Sequence, residues 1–114
     1  MQEQQLLKAL IEIVNTSKQS EFPEHWTASD LIAKLFEEGG EFSEACMIKL
    51  GKLSTKTAET PIDDFYEAAD MIICILDLLI KINPELSKGV AIKGLTFALE
   101  QKTEKWKSKI ERGY

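Results

Sequence analysis

Apolar residues at Leu6, Leu7, Leu10, Ile11 and Val14 recur at helical spacing, and the pattern stops in the polar stretch NTSKQS ahead of Pro23. This predicts a first helix. The segment EFPEHWTASD then reads as a connector, with Thr27 or Ser29 available to cap the next helix. That second helix is expected from about Ser29 to Leu50, and the Thr- and Ser-rich stretch GKLSTKTAETP as a loop ending at Pro61, a residue suited to a helix start. From Ile62 to Ile82 the spacing is helical again, and beyond Met71 it is apolar on nearly every face, as in a helix buried on all sides. Asn83 and Pro84 end it. The last helix is expected from about Glu85 to Ile110, apolar in VAIKGLTFAL and basic in QKTEKWKSKIER, with Gly113 past its end. Strand-like alternation and internal repeats are missing from the pattern, so the 114 residues read as one all-α domain of the four-helix-bundle type. Three partly amphipathic neighbours do not cover a helix that is apolar all round. The bundle core is therefore expected to be completed by homo-oligomerisation, as a dimer or a tetramer.

Charge narrows the choice of partners. The formal net charge is -5 and the pI about 4.9, which leaves no electrostatic footprint for a nucleic acid polymer or an anionic membrane. The N-terminal MQEQQLLKALIEIV lacks the basic region and cleavage site of a secretory signal, and MIICILDLLIKI is interrupted by Asp77 and Lys81 short of a membrane span. A cytoplasmic location is expected. Cys46 and Cys74, each within an apolar helical pattern and without CxxC spacing, read as buried free thiols.

The stretch EEGGEF at residues 37 to 42 is harder to explain, because like charges repel and glycines weaken a helix. With Glu37 at zero on a helical wheel, Glu41 falls at about 40°, Glu44 at about 340° and Glu38 at about 100°. Leu31, Leu35, Phe42 and Cys46 lie between about 120° and 180°, so Glu38 borders the apolar face. Gly39 and Gly40 fall on other sides, where they would let another helix approach closely. On the third helix, Asp63, Glu67, Asp70 and Asp77 form a second acidic stripe within about 80° of one another. Asp70 and Asp77 lie in an otherwise apolar stretch, where an ionised carboxylate costs several kcal/mol unless it is paired or metal-bound. Two such stripes facing each other would hold a hard divalent cation, and oxygen ligands without imidazole or thiolate favour Mg2+, with Mn2+ as a substitute. Against this stands a plain reading of solvated glutamates, with Asp70 and Asp77 paired to lysines such as Lys34, Lys81 or Lys102.

EEGGE, followed after 25 residues by EAAD at 67 to 70, resembles the E-E-x-x-E and E-x-x-D signature of the all-α NTP pyrophosphatase superfamily. That group takes in MazG-like proteins, dimeric dUTPases, dCTP pyrophosphatases and phosphoribosyl-ATP pyrophosphatase. The resemblance covers roughly residues 22 to 110. It implies the MazG-like fold and Mg2+-dependent hydrolysis of a nucleoside triphosphate to the monophosphate and pyrophosphate, for nucleotide-pool control or house-cleaning. It further implies Glu38, Glu41, Glu67 and Asp70 as metal ligands. Glu37 then stands where it could orient or deprotonate the attacking water, with Glu44 nearly as well placed.

In the dCTP pyrophosphatase branch an aromatic, His-containing segment before the second helix borders the base, and EFPEHWTASD occupies that place. Trp26 would stack on a base and His25 or Asp30 would bond its edge, or else Trp26 is a hydrophobic staple over the helix start. Lys102 and Lys105 are candidates for phosphate counter-charge, although the last helix lacks the Asn followed by Lys or Arg that members of the family often carry. Two other functions fit the same chain: a non-enzymatic helical interaction module, and a phosphoribosyl-ATP pyrophosphatase.

Overall fold

The computed structural model describes residues 1–53 and 55–113. Among them are four α-helices and no strand: α1 (Gln2–Gln19), α2 (Ala28–Lys49), α3 (Asp63–Lys81) and α4 (Lys88–Glu111). The all-α class expected from the hydrophobic pattern is observed. The chain divides into two compact units, Met1–Asn83 with α1 to α3 and Pro84–Tyr114 with α4. Among the described residues no helix is long and apolar enough to cross a membrane.

In the first unit α3 packs against both α1 and α2. Its core is small: Val14 from α1, Leu31 from α2, and Cys74, Leu76 and Ile80 from α3. Within this unit α3 is not buried on all sides, since Ile72, Ile73, Ile75 and Leu79 stay exposed beside those core residues. This unit supplies two neighbouring helices, and two cannot cover a full circumference of apolar side chains.

Local chemistry explains where the helices begin and end. α1 runs on through NTSKQ, past the point where the apolar spacing stops, because Thr16 returns its hydroxyl to the Glu12 carbonyl (2.8 Å) and Ser17 is buried against α3. α2 begins with a capping box in which the Asp30 amide donates to Thr27 Oγ1 (3.3 Å) and the Thr27 amide donates to Asp30 Oδ2 (2.7 Å). It closes in a Schellman turn, with Lys52 N–H bonded to Met47 O (2.9 Å) and Gly51 N–H to Ile48 O (3.0 Å). Gly51 sits there at φ +72°, in the left-handed region a side chain disfavours. α3 stops where Asn83 turns its amide back to the Leu79 carbonyl (2.8 Å) and Pro84 forbids continuation. In the second unit α4 starts at Lys88 rather than Glu85, because Ser87 is the residue that caps it, accepting from the Val90 amide (3.2 Å).

The two glycines of EEGGEF do not mark a close helix approach in this unit. A methyl group added at Gly39 would meet only Met71 Cε, at an ordinary 3.7 Å, and one at Gly40 would meet nothing within 4 Å.

Candidate functional site

Packing α2 along α3 brings the two acidic motifs together. Glu38 of α2 and Glu67 and Asp70 of α3 each place one carboxylate oxygen within 4.8 Å of the others. Their i, i+3 spacing on α3 is what turns Glu67 and Asp70 to one side of the helix. The electrostatic cost falls on Glu38 rather than on Asp70. Glu38 is only 8% exposed, whereas Asp70 is exposed, because Glu38 sits at the edge of the apolar face that carries Leu31.

Glu38 is only half compensated. Lys34, one turn earlier, reaches its Oε1 at 3.5 Å, but Oε2 is buried with no hydrogen-bond partner among the described residues. Glu67 Oε2 is buried and unpartnered in the same way. Leaving a buried charged oxygen unsatisfied costs several kcal/mol, so two of them in one acidic cluster call for a positive group.

Glu41, the fourth residue of the expected ligand set, is not one of the three converging carboxylates. It is nevertheless within their field: the charge of Glu38 first, then desolvation, then the charges of Glu67 and Glu37 raise its carboxyl above the ordinary range. Glu37 itself is exposed on α2. Cys74 is buried with its thiol directed at the Leu31 carbonyl (4.0 Å), and burial foremost pushes its pKa up, which fits a packing role. Cys46 is half-buried rather than buried.

The remaining acids of the two stripes are already satisfied within the protein. Asp63 accepts from Thr60 Oγ1 (2.6 Å) and from the amides of Glu59 (2.8 Å) and Thr60 (3.0 Å). The Thr60 hydroxyl is the largest cause of its carboxyl lying below the ordinary value. Asp77 pairs with Lys81 (2.5 Å) and accepts from Ser17 Oγ (2.7 Å), so for this residue the lysine-paired reading holds. Glu44 is bound to Lys56 Nζ at 2.6 Å.

Of the connector residues, His25 and Trp26 are exposed, with Trp26 at 41% and its amide bonded to Pro23 O (2.9 Å). Asp30 is engaged in the α2 cap. Lys102 and Lys105 lie exposed on α4, in the second unit.

The motif reading did not single out Lys56. Beside the acidic cluster lies a cavity of about 400 Å³ lined by Glu41, Glu44 and Glu67 from the helices and by Lys56, Thr57 and Ala58 from the segment between them. The available signal was position: any residue between E-E-x-x-E and E-x-x-D on two packed helices is tethered near both. Comparison with family models, with curated proteins and with solved structures gives no match for this chain. The donor set itself restricts what the site can do. Three carboxylates with two orphaned oxygens fit a hard divalent cation, and soft metals that prefer imidazole or thiolate fit poorly.

Proposed function

We propose that this chain is a Mg2+-dependent nucleoside triphosphate pyrophosphohydrolase of MazG-like architecture, converting (d)NTP to (d)NMP and pyrophosphate. The observation that carries this reading is the convergence of Glu38, Glu67 and Asp70, one residue from one motif and two from the other, with buried oxygens left unpartnered. Those three, with Glu41 beside them, would hold the cation, and Mn2+ would serve in place of Mg2+. When bound, the cation polarises phosphoryl oxygens and screens the acidic wall from the charge of the triphosphate.

The protein's own part is proton handling and positioning. Glu37 accepts a proton from the attacking water as its oxygen bonds to the α-phosphorus and the α–β bridging oxygen departs with pyrophosphate. Glu44 is the alternative acceptor, and in the substrate-free protein its carboxylate is paired with Lys56. Trp26, with an exposed ring, and His25 beside it are the base-contacting candidates, whereas Asp30 is engaged in the cap of α2.

A second copy of the chain completes the core, as a homodimer or homotetramer. Phe36 at 78% and Phe65 at 68% exposure, and the exposed Ile72, Ile73, Ile75 and Leu79 of α3, are apolar side chains that a second copy would cover. Sedimentation at micromolar concentration is expected to give a dimer or tetramer.

That same surface also favours the rival reading of a helical interaction module, and one assay separates the two. Purified protein with Mg2+ and a panel of nucleoside triphosphates should release pyrophosphate and monophosphate, and EDTA should stop the reaction. Orthophosphate as the first product, or no Mg2+-dependent rise in melting temperature, would overturn the pyrophosphohydrolase.

A further inference from the structure

We infer that Lys56 is a phosphate-binding residue, held against Glu44 until the outer phosphates of a metal-bound triphosphate take its ammonium group. The inference rests on the metal-site reading above and adds to it the residue that receives the far end of the substrate. The cavity beside the cluster, about 400 Å³, is within the size range of small-molecule sites. It shares Glu41 and Glu67 with the acidic site, so a ligand anchored there extends into it. Its other charged lining residues are all acidic, Glu44, Glu59 and Asp63 among them, and Lys56 is its one cation among the described residues. The charged groups of this wall other than Lys56 repel a polyphosphate, which the metal and Lys56 attract.

Three features suit Lys56 to that task. Its partner is exchangeable: the Lys56 and Glu44 side chains are 56% and 44% exposed, and solvent-exposed ion pairs of this kind are weak. A phosphate offers more charge than the single carboxylate it replaces, and a lysine binds phosphate as a mobile point charge. The segment carrying Lys56 is also anchored just beyond it. Asp63 clamps the amides of Glu59 and Thr60, while Lys49 ties Asp64 (3.0 Å) and the Pro61 carbonyl (3.4 Å) to the end of α2. Thr57, next to Lys56 on the same wall, adds a hydroxyl donor.

The test is a calorimetric titration of inorganic tripolyphosphate, presented as its Mg2+ complex, which is independent of base preference. Wild type should bind it, Lys56→Ala should bind about tenfold more weakly or worse, and Lys56→Arg should fall between them. Glu44→Gln, which frees the ammonium group, should bind at least as tightly as wild type. Mn2+ binding alone, followed by electron paramagnetic resonance, and the melting temperature should be equal in wild type and Lys56→Ala. Equal tripolyphosphate affinity in wild type and Lys56→Ala overturns the inference, as does a loss confined to melting temperature. A wild type that binds no Mn2+ removes the metal site and this inference with it, whereas normal Mn2+ binding with an indifferent Lys56→Ala removes the inference alone.

Discussion

Asp77 and Glu38 are both carboxylates set among apolar residues of the first unit, one facing α1 and the other at the junction of α2 with α3. Around Asp77 every demand is met inside the protein. Lys81 supplies the charge, Ser17 donates its hydroxyl at 2.7 Å, and Lys81 in turn is held by Ser20 Oγ at 2.9 Å. Around Glu38 the supply falls short, since Lys34 approaches one oxygen at 3.5 Å and the other oxygen stays buried beside the equally unpartnered Glu67. An acid set among apolar residues is therefore not in itself a mark of function. A satisfied carboxylate joins two helices, whereas an unsatisfied cluster is unfavourable in the isolated chain and is the place where a cation binds with gain.

The largest effect that tests this contrast is on activity. Asp70→Asn or Glu41→Gln should lower pyrophosphate release by about 10²-fold or more, the scale of losing one charge-stabilising group. The metal-free protein should nevertheless melt at the wild-type temperature or higher, because one repelling charge has gone. Loss of stability with activity retained would show these acids to be structural.

Asp77→Ala should behave in the opposite way. It strands Lys81, whose side chain is only 8% exposed, so a cost of about 3 kcal/mol in stability is expected from chemical denaturation, with turnover per folded molecule unchanged. Ser17→Ala should repeat this in miniature, losing about 1.5 kcal/mol for one hydrogen bond to a charged group. If Asp77→Ala abolished metal binding while leaving stability intact, the two regions would have been assigned the wrong way round.

The smallest expected effect is on Asp63, an acid of the functional stripe that is satisfied by its own turn. Its pKa is lowered in the folded state, so its contribution to stability is present above the unfolded value and is lost as pH falls through the folded one. Thr60→Ala removes the main cause. A carbon-detected titration should then show the Asp63 midpoint moving up towards the ordinary carboxylate value, with no change in metal affinity.

Much of the fold was legible in the chain. Helical spacing, the Thr27 cap, Gly51 and Pro84 report on local interactions within a few residues, so the number of helices and most of their ends could be read from them. The exceptions were α1, extended through NTSKQ by a long-range contact of Ser17, and α4, begun at Lys88 rather than three residues earlier. The acidic motifs were legible for the same local reason, since an i, i+3 spacing sets the side of a helix to which two carboxylates turn.

What the sequence determined by itself, then, was which residues are helical and which acids share a face, because both depend on backbone periodicity alone. Which acids meet was decided only by the tertiary structure. The rotation of α3 against α1 and α2 brought Ser17 to Asp77, which Lys81 already pairs one turn along the same helix, and it set Glu67 and Asp70 opposite Glu38. Lys56 came to the edge of that cluster by the path of a loop with no periodicity to read. Desolvation and charge pairing depend on distances through space, and a helical wheel carries no information about them.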